Sequence, residues 1–162
     1  MFNSIKRNLL KGLSANKEIL VQLVSCIKNE EINKRIKDYW TIYEHIDHLV
    51  ITQKMLLGRI QQFIVEDKPT MKPYIPEDKP KVEDSKKGPK ELLHEFVKTR
   101  DMQISLIKKA NGKIWRKEGI HPEYNKYSFE ILIRHIYMHD SFHMWRIEEL
   151  WIEKEELIQE MK

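Results

Sequence analysis

Five of the six prolines fall between Asp67 and Lys90, whereas residues 13–57, 90–111 and 123–162 hold neither proline nor glycine. Proline removes a backbone donor and clashes with the preceding turn, so the long stretches without it are free to run as helices and the proline-rich segment is not. From Phe2 to Ile27, apolar residues (Phe2, Ile5, Leu9, Leu13, Leu20, Leu23 and Ile27) recur mainly at intervals of three and four, the stripe of a first helix. Thr41 and Glu44 have the spacing of a capping box, which predicts a second helix from about Thr41 to Val65. Pro89 suits the first position of a third helix, whose stripe (Leu92, Leu93, Phe96, Val97, Ile104, Ile107) ends near Asn111-Gly112. Phe129, Leu132, Ile136, Ile147 and Leu150 predict a fourth, from about Tyr127 towards Glu160. No segment alternates with the period of two that a strand needs. The expectation is an all-α four-helix bundle, with a long crossover loop between the second and third helices.

At 162 residues the chain suits one domain spanning 1–162, and 41% apolar side chains suffice for its core despite 33% charged residues. The excess of 29 basic over 25 acidic groups is spread along the chain, which disfavours a nucleic-acid partner, since such a partner needs the charge gathered into a stripe. The crossover lysines alternate with Asp and Glu and read as a solvated loop. No apolar run is long enough to span a bilayer, and the N-terminus has no secretory signal, so no membrane partner is expected. With Cys26 as the only cysteine, no intrachain disulfide can form. A cytoplasmic location follows as the expectation, with Cys26 buried as a small apolar residue.

Five of seven histidines lie on two predicted helices: His45 and His48 on the second, His135, His139 and His143 on the fourth. At about 100° per residue, His139 and His143 fall on the apolar stripe of the fourth helix one turn apart, where two imidazoles can share an ion. A hydrogen-bonded histidine pair is the competing reading. A third imidazole from the second helix would favour a metal, and its stripe (Ile42, Leu49, Leu56, Ile60, Phe63) centres nearer His45, with His48 on its shoulder. His135 and Arg146 flank the stripe of the fourth helix, at a pocket mouth or as solvated edge residues. Asp140 reads as a helix-face residue or a support to the ligands, and Glu44 as a cap. His94 and His121 lack spaced partners. Trp145 and Trp151, away from the histidine stripe, predict a homodimer contact or packing on the first helix.

The segment Trp40-Thr41-Ile42-Tyr43-Glu44-His45-Ile46-Asp47-His48-Leu49 resembles the W-S/T-x-x-E-x-x-x-H-L motif of the DinB-like bundles, and His139-Asp140-Ser141-Phe142-His143 resembles their later H-x-x-x-H. The resemblance implies His48, His139 and His143 as ligands of a divalent metal ion, zinc or nickel, and puts His45 where the family usually has an aliphatic residue. It departs at Arg146, where relatives often carry glutamine; Arg146 is then a pocket candidate for steering an anionic thiol. Relatives include bacillithiol-type thiol S-transferases and mycothiol-dependent isomerases. The resemblance therefore implies a metal-dependent thiol transferase or related hydrolase acting on a small-molecule thiol and an electrophile. The alternatives are a non-catalytic, stress-associated metal-binding bundle and, ranking below it, a DNA-binding protein.

Overall fold

The computed structural model describes residues 2–72 and 87–153. Four long helices, α1 (Phe2–Cys26), α3 (Ile42–Val65), α4 (Pro89–Lys109) and α6 (Phe129–Trp151), are joined by the single-turn helices α2 (Asn29–Ile32) and α5 (Gly112–Trp115). Among the described residues the only β-type pairings are two isolated bridges, Thr70 with Ile120 and Glu118 with Ser128.

The helix starts follow local chemistry. Thr41 Oγ1 accepts from the Glu44 amide at 3.1 Å while Glu44 accepts from the Thr41 amide at 2.6 Å, satisfying two of the free donors at the start of α3. Pro89 opens α4, and Ser128 caps α6 through the Ile131 amide. The third helix ends slightly earlier than its stripe suggests, because Asn111 turns its side chain to cap α5, accepting from Lys113 and Ile114 at 3.0 Å each. The last residues of the expected fourth helix, 154–162, and residues 73–86 of the crossover lie outside the described residues.

Helix α3 packs between α4 and α6, and α1 contacts the same two from the other side. The buried apolar side chains form two clusters. One joins Leu20 and Val24 of α1, Ile42 to Val50 of α3, Leu92 to Phe96 of α4, and Met144, Ile147 and Leu150 of α6. The other joins Leu13, Leu56 to Phe63, Ile104 and Ile107, and Phe129 to Ile136 from the same helices in the same order. The early residues of α3 and α4 thus share one end of the bundle and their late residues the other, so the two helices run parallel. The connection from Val65 to Pro89 joins opposite ends, as a crossover must; the Tyr43 hydroxyl, near the start of α3, donates to the Lys87 carbonyl at 2.8 Å. Phe63, Phe96 and Phe129 are fully buried, each contributing about 2–3 kcal/mol over an exposed ring.

Between the two clusters lies a polar layer. Arg100 Nη1 of α4 donates to Asp140 Oδ2 of α6 at 2.6 Å, with both side chains essentially inaccessible. Gln53 of α3 donates to the other Asp140 oxygen at 3.2 Å, and Gln103 accepts from Arg100 Nε while donating to the Gln53 carbonyl. A buried charge pair of this kind tolerates little displacement, because its hydrogen bonds offset the cost of leaving water. It therefore fixes the rotation of α6 about its axis, and with it the two histidines on either side of Asp140. Asp140 is a core ion-pair residue here, not a helix-face group.

Cys26 sits exposed on the last turn of α1, contrary to the expected burial, because the helix ends there and the chain turns inward only at Ile27.

Candidate metal centre

His48 of α3 and His139 and His143 of α6 meet at the level of the polar layer, on the α3–α6 side. His139 Nε2 stands 3.2 Å from His48 Nε2 and 3.2 Å from His143 Nε2. One ring nitrogen from each of the three lies within 4.8 Å of the others, the only such His, Cys, Asp or Glu grouping among the described residues. Three nitrogens held about 2.0–2.1 Å from a tetrahedral ion are separated by roughly 3.4 Å, so both pairs already have the spacing of a shared ligand set. An all-imidazole donor set of intermediate softness suits a divalent ion such as zinc, nickel, copper or iron.

His45 stands on the far side of His143, with its Nδ1 2.9 Å from His143 Nδ1. The stripe of the second helix correctly points it inward, yet it meets the other nitrogen of His143 and does not join the three Nε2 atoms. Trp40 covers the group: its ring lies 5.0 Å from His48, 5.3 Å from His45, and stacks on His143 at 6.1 Å and 17°.

The electrostatics favour neutral rings. Burial, followed by its three histidine neighbours, holds His143 down to about 2, and burial with Arg146 and His48 holds His45 to about 3. Burial and His139 lower His48 to about 4, and burial and Arg100 lower His139 to about 4. At neutral pH each ring keeps a lone pair to offer.

Other candidates fall elsewhere. Arg146 Nη1 donates to Glu149 at 2.8 Å, both largely buried, on the His45 side. Glu44 is held by its cap and by Arg35 Nη2 at 2.6 Å. His94 is exposed, whereas His121 is buried, ringed by Tyr124 and Tyr127. His121, Tyr124 and Tyr127, with His135, His139 and Arg59, line a cavity of about 230 Å³ that reaches the histidine cluster at His139. The segment carrying them is pinned to the start of the crossover by the Ile120 amide to the Pro69 carbonyl (2.9 Å) and the Met71 amide to the Ile120 carbonyl (2.8 Å). A Cβ on Gly119 would come within 2.8 Å of the Phe63 ring and 3.0 Å of the Pro69 carbonyl, so this seam needs glycine. Trp145 is 61% exposed, while Trp151 packs partly buried on the first apolar cluster. Among the described residues no helix is long and apolar enough to cross a membrane.

The family model of the DinB superfamily matches residues 13–147. Among solved structures, the chain is similar to YfiT from Bacillus subtilis, described as a probable metal-dependent hydrolase with an unusual four-helix bundle topology. That similarity has a TM-score of 0.77 at 18% identity and covers 91% of this chain and 86% of that one. No curated protein matches the sequence.

Proposed function

Since the chain belongs to the DinB superfamily, we propose that His48, His139 and His143 hold one divalent ion, zinc or nickel, in a metal-dependent thiol S-transferase or related hydrolase. The observation that carries this reading is the 3.2 Å spacing of His139 Nε2 from both other Nε2 atoms. The ion, when bound, supplies a Lewis-acid centre that lowers the pKa of a thiol or water at its open position. The protein's own residues do the rest. Three neutral imidazoles present their lone pairs from α3 and α6, which are tied at Asp140 by Gln53 of α3 and Arg100 of α4. His45 accepts the Nδ1 proton of His143 and so frees its Nε2. Trp40 shields one side, and the cavity beside His139 leaves another side for a small-molecule thiol and its electrophile. Cys26, at the exposed end of α1, is not needed as a nucleophile. We assign the protein to the cytoplasm, where a thiol co-substrate stays reduced.

We also propose a homodimer through α6. Met138, Phe142 and Trp145 form an exposed apolar stripe on one face of that helix, 59%, 44% and 61% accessible, and Phe142 contacts His143 at its edge.

The test is metal analysis of protein purified without added metal, followed by a chromogenic electrophile offered with several small thiols. One equivalent of metal is expected, retained at reduced affinity in His45→Ala and lost in His48→Ala, His139→Ala and His143→Ala. Rates above thiol alone that vanish on chelation, with the fold intact, support catalysis. Unfolding on chelation, with no rate enhancement, would instead assign the ion a structural role. Equal rates in native, chelated and His143→Ala protein would exclude the metal from the reaction.

A further inference from the structure

We propose that the cavity beside His139 is a binding site for the carboxylate of a small organic acid, anchored by Arg59. The site stands independently of the metal. Only the identity of what meets the acid's other end rests on the function proposed above.

Arg59, on α3, is half-buried in the cavity wall. Its Nη2 donates to the Lys72 carbonyl at 2.7 Å, which anchors the group, and its charge acts on the Tyr127 phenol across the cavity wall, opposing the rise that burial gives it. It has no carboxylate partner among the described residues. An arginine held by neutral groups keeps further N–H donors and its whole charge for a ligand, and its planar fork matches a carboxylate.

His121 adds a second donor. Its Nδ1 accepts from the Glu123 amide at 3.2 Å, which places the ring proton on Nε2. His135, on α6, makes no hydrogen bond through its ring nitrogens with the described residues, and its ring meets Tyr124 at 5.4 Å and Tyr127 at 5.8 Å. Those two phenol rings lie nearly parallel, 9° apart at 6.1 Å, and His135 is inclined to them at 60° and 59°, so the three rings give a carbon skeleton an aromatic surface to pack on.

The charges agree in sign. Among the described residues Glu123 is the one carboxylate in the lining and it is exposed, whereas Arg59 and Arg134 both act on His135. A guanidinium with no carboxylate partner among the described residues matches a single negative charge. A dianionic phosphate would leave one charge without a partner. The volume of about 230 Å³ equals that of about eight liquid waters, room for a small acid.

The experiment follows the ring resonances of His121 and His135 by NMR in metal-free protein titrated with propionate, its neutral isostere propionamide, and inorganic phosphate. Propionate is expected to shift both rings, with propionamide ineffective, and the apparent affinity should fall at least tenfold in Arg59→Gln and recover in part in Arg59→Lys. An equal response to propionamide, an undiminished response in Arg59→Gln, or tighter binding of phosphate would overturn the assignment. A second arm uses cobalt-loaded protein and reads the thiolate-to-cobalt absorption band. It should show at least a tenfold preference for 3-mercaptopropionate over 2-mercaptoethanol, and Arg59→Gln should remove that preference. Equal affinity of wild type for the two thiols would overturn the link between cavity and metal. If neither thiol gives the band while propionate still binds, the thiol-transfer reading fails and the carboxylate site stands.

Discussion

His45 and His143 face each other through their Nδ1 atoms at 2.9 Å, so one nitrogen must carry the proton that the other accepts. When His143 gives its Nε2 lone pair to an ion, its proton resides on Nδ1 and His45 is its acceptor. Such partners set both the tautomer and the orientation of a ligating ring. Here the partner is a neutral imidazole, not the more common carboxylate, and it adds no negative charge to the site.

Replacing His45 by Leu keeps much of the bulk and removes the acceptor. Zinc affinity, measured by chelator competition, should fall about 10- to 100-fold, and His45→Gln, which restores an acceptor oxygen, should recover part of the loss. Wild-type affinity in the Leu variant would remove the orienting role.

The low pKa values make the metal-free fold acid-sensitive. The four histidines titrate at about 2 to 4 in the folded protein, against 6.5 when unfolded. Below pH 6.5 the unfolded chain takes up protons that the folded one refuses. Stability is therefore full above 6.5 and is lost as pH falls towards the folded values, by about 1.4 kcal/mol per pH unit for each ring that stays neutral. The thermal midpoint of metal-free protein should drop clearly between pH 7.5 and 5; a flat midpoint would contradict the burial of these rings.

Asp140→Ala leaves Arg100 charged and buried without its partner. Urea denaturation should show a loss of about 3–5 kcal/mol, and the double variant Arg100→Met/Asp140→Leu should recover most of it, since two apolar residues leave no charge to solvate.

Trp145→Glu places a charge in the middle of the exposed α6 stripe. Light scattering at tens of micromolar should find wild type dimeric and the variant monomeric, with unchanged helical circular dichroism. A monomeric wild type would remove the dimer.

Periodicity carried much of this architecture because helices bury fixed angular faces. The same regularity held information that apolar counting passes over. Arg100 lies four residues from both Phe96 and Ile104, and Asp140 lies four from both Ile136 and Met144, so each sits on its helix's core stripe, where a charge needs an opposite partner. The inward position of His45 was legible from its stripe and that of His48 from its motif; His45 meets Nδ1 of His143, whereas His48 meets Nε2 of His139. The cavity was not legible. His121, Tyr124 and Tyr127 lie on an irregular segment whose course is set by bonds to Pro69 and Met71 about fifty residues earlier, and no local period encodes such a partner. The exposure of Cys26 depends on where α1 stops, the least predictable property of a helix.

The parallel run of α3 and α4 has a kinetic consequence. His48 and His139 touch across 91 positions of chain, with the crossover and the whole of α4 between them. Closing so long a loop costs entropy before any contact repays it, and contacts of this range slow folding. The three imidazoles can come together only after the last long helix has docked, so a chain halted before α6 has no complete site to offer. Capture of an ion by all three histidines would therefore act as a late, post-docking latch, reporting that the bundle has closed.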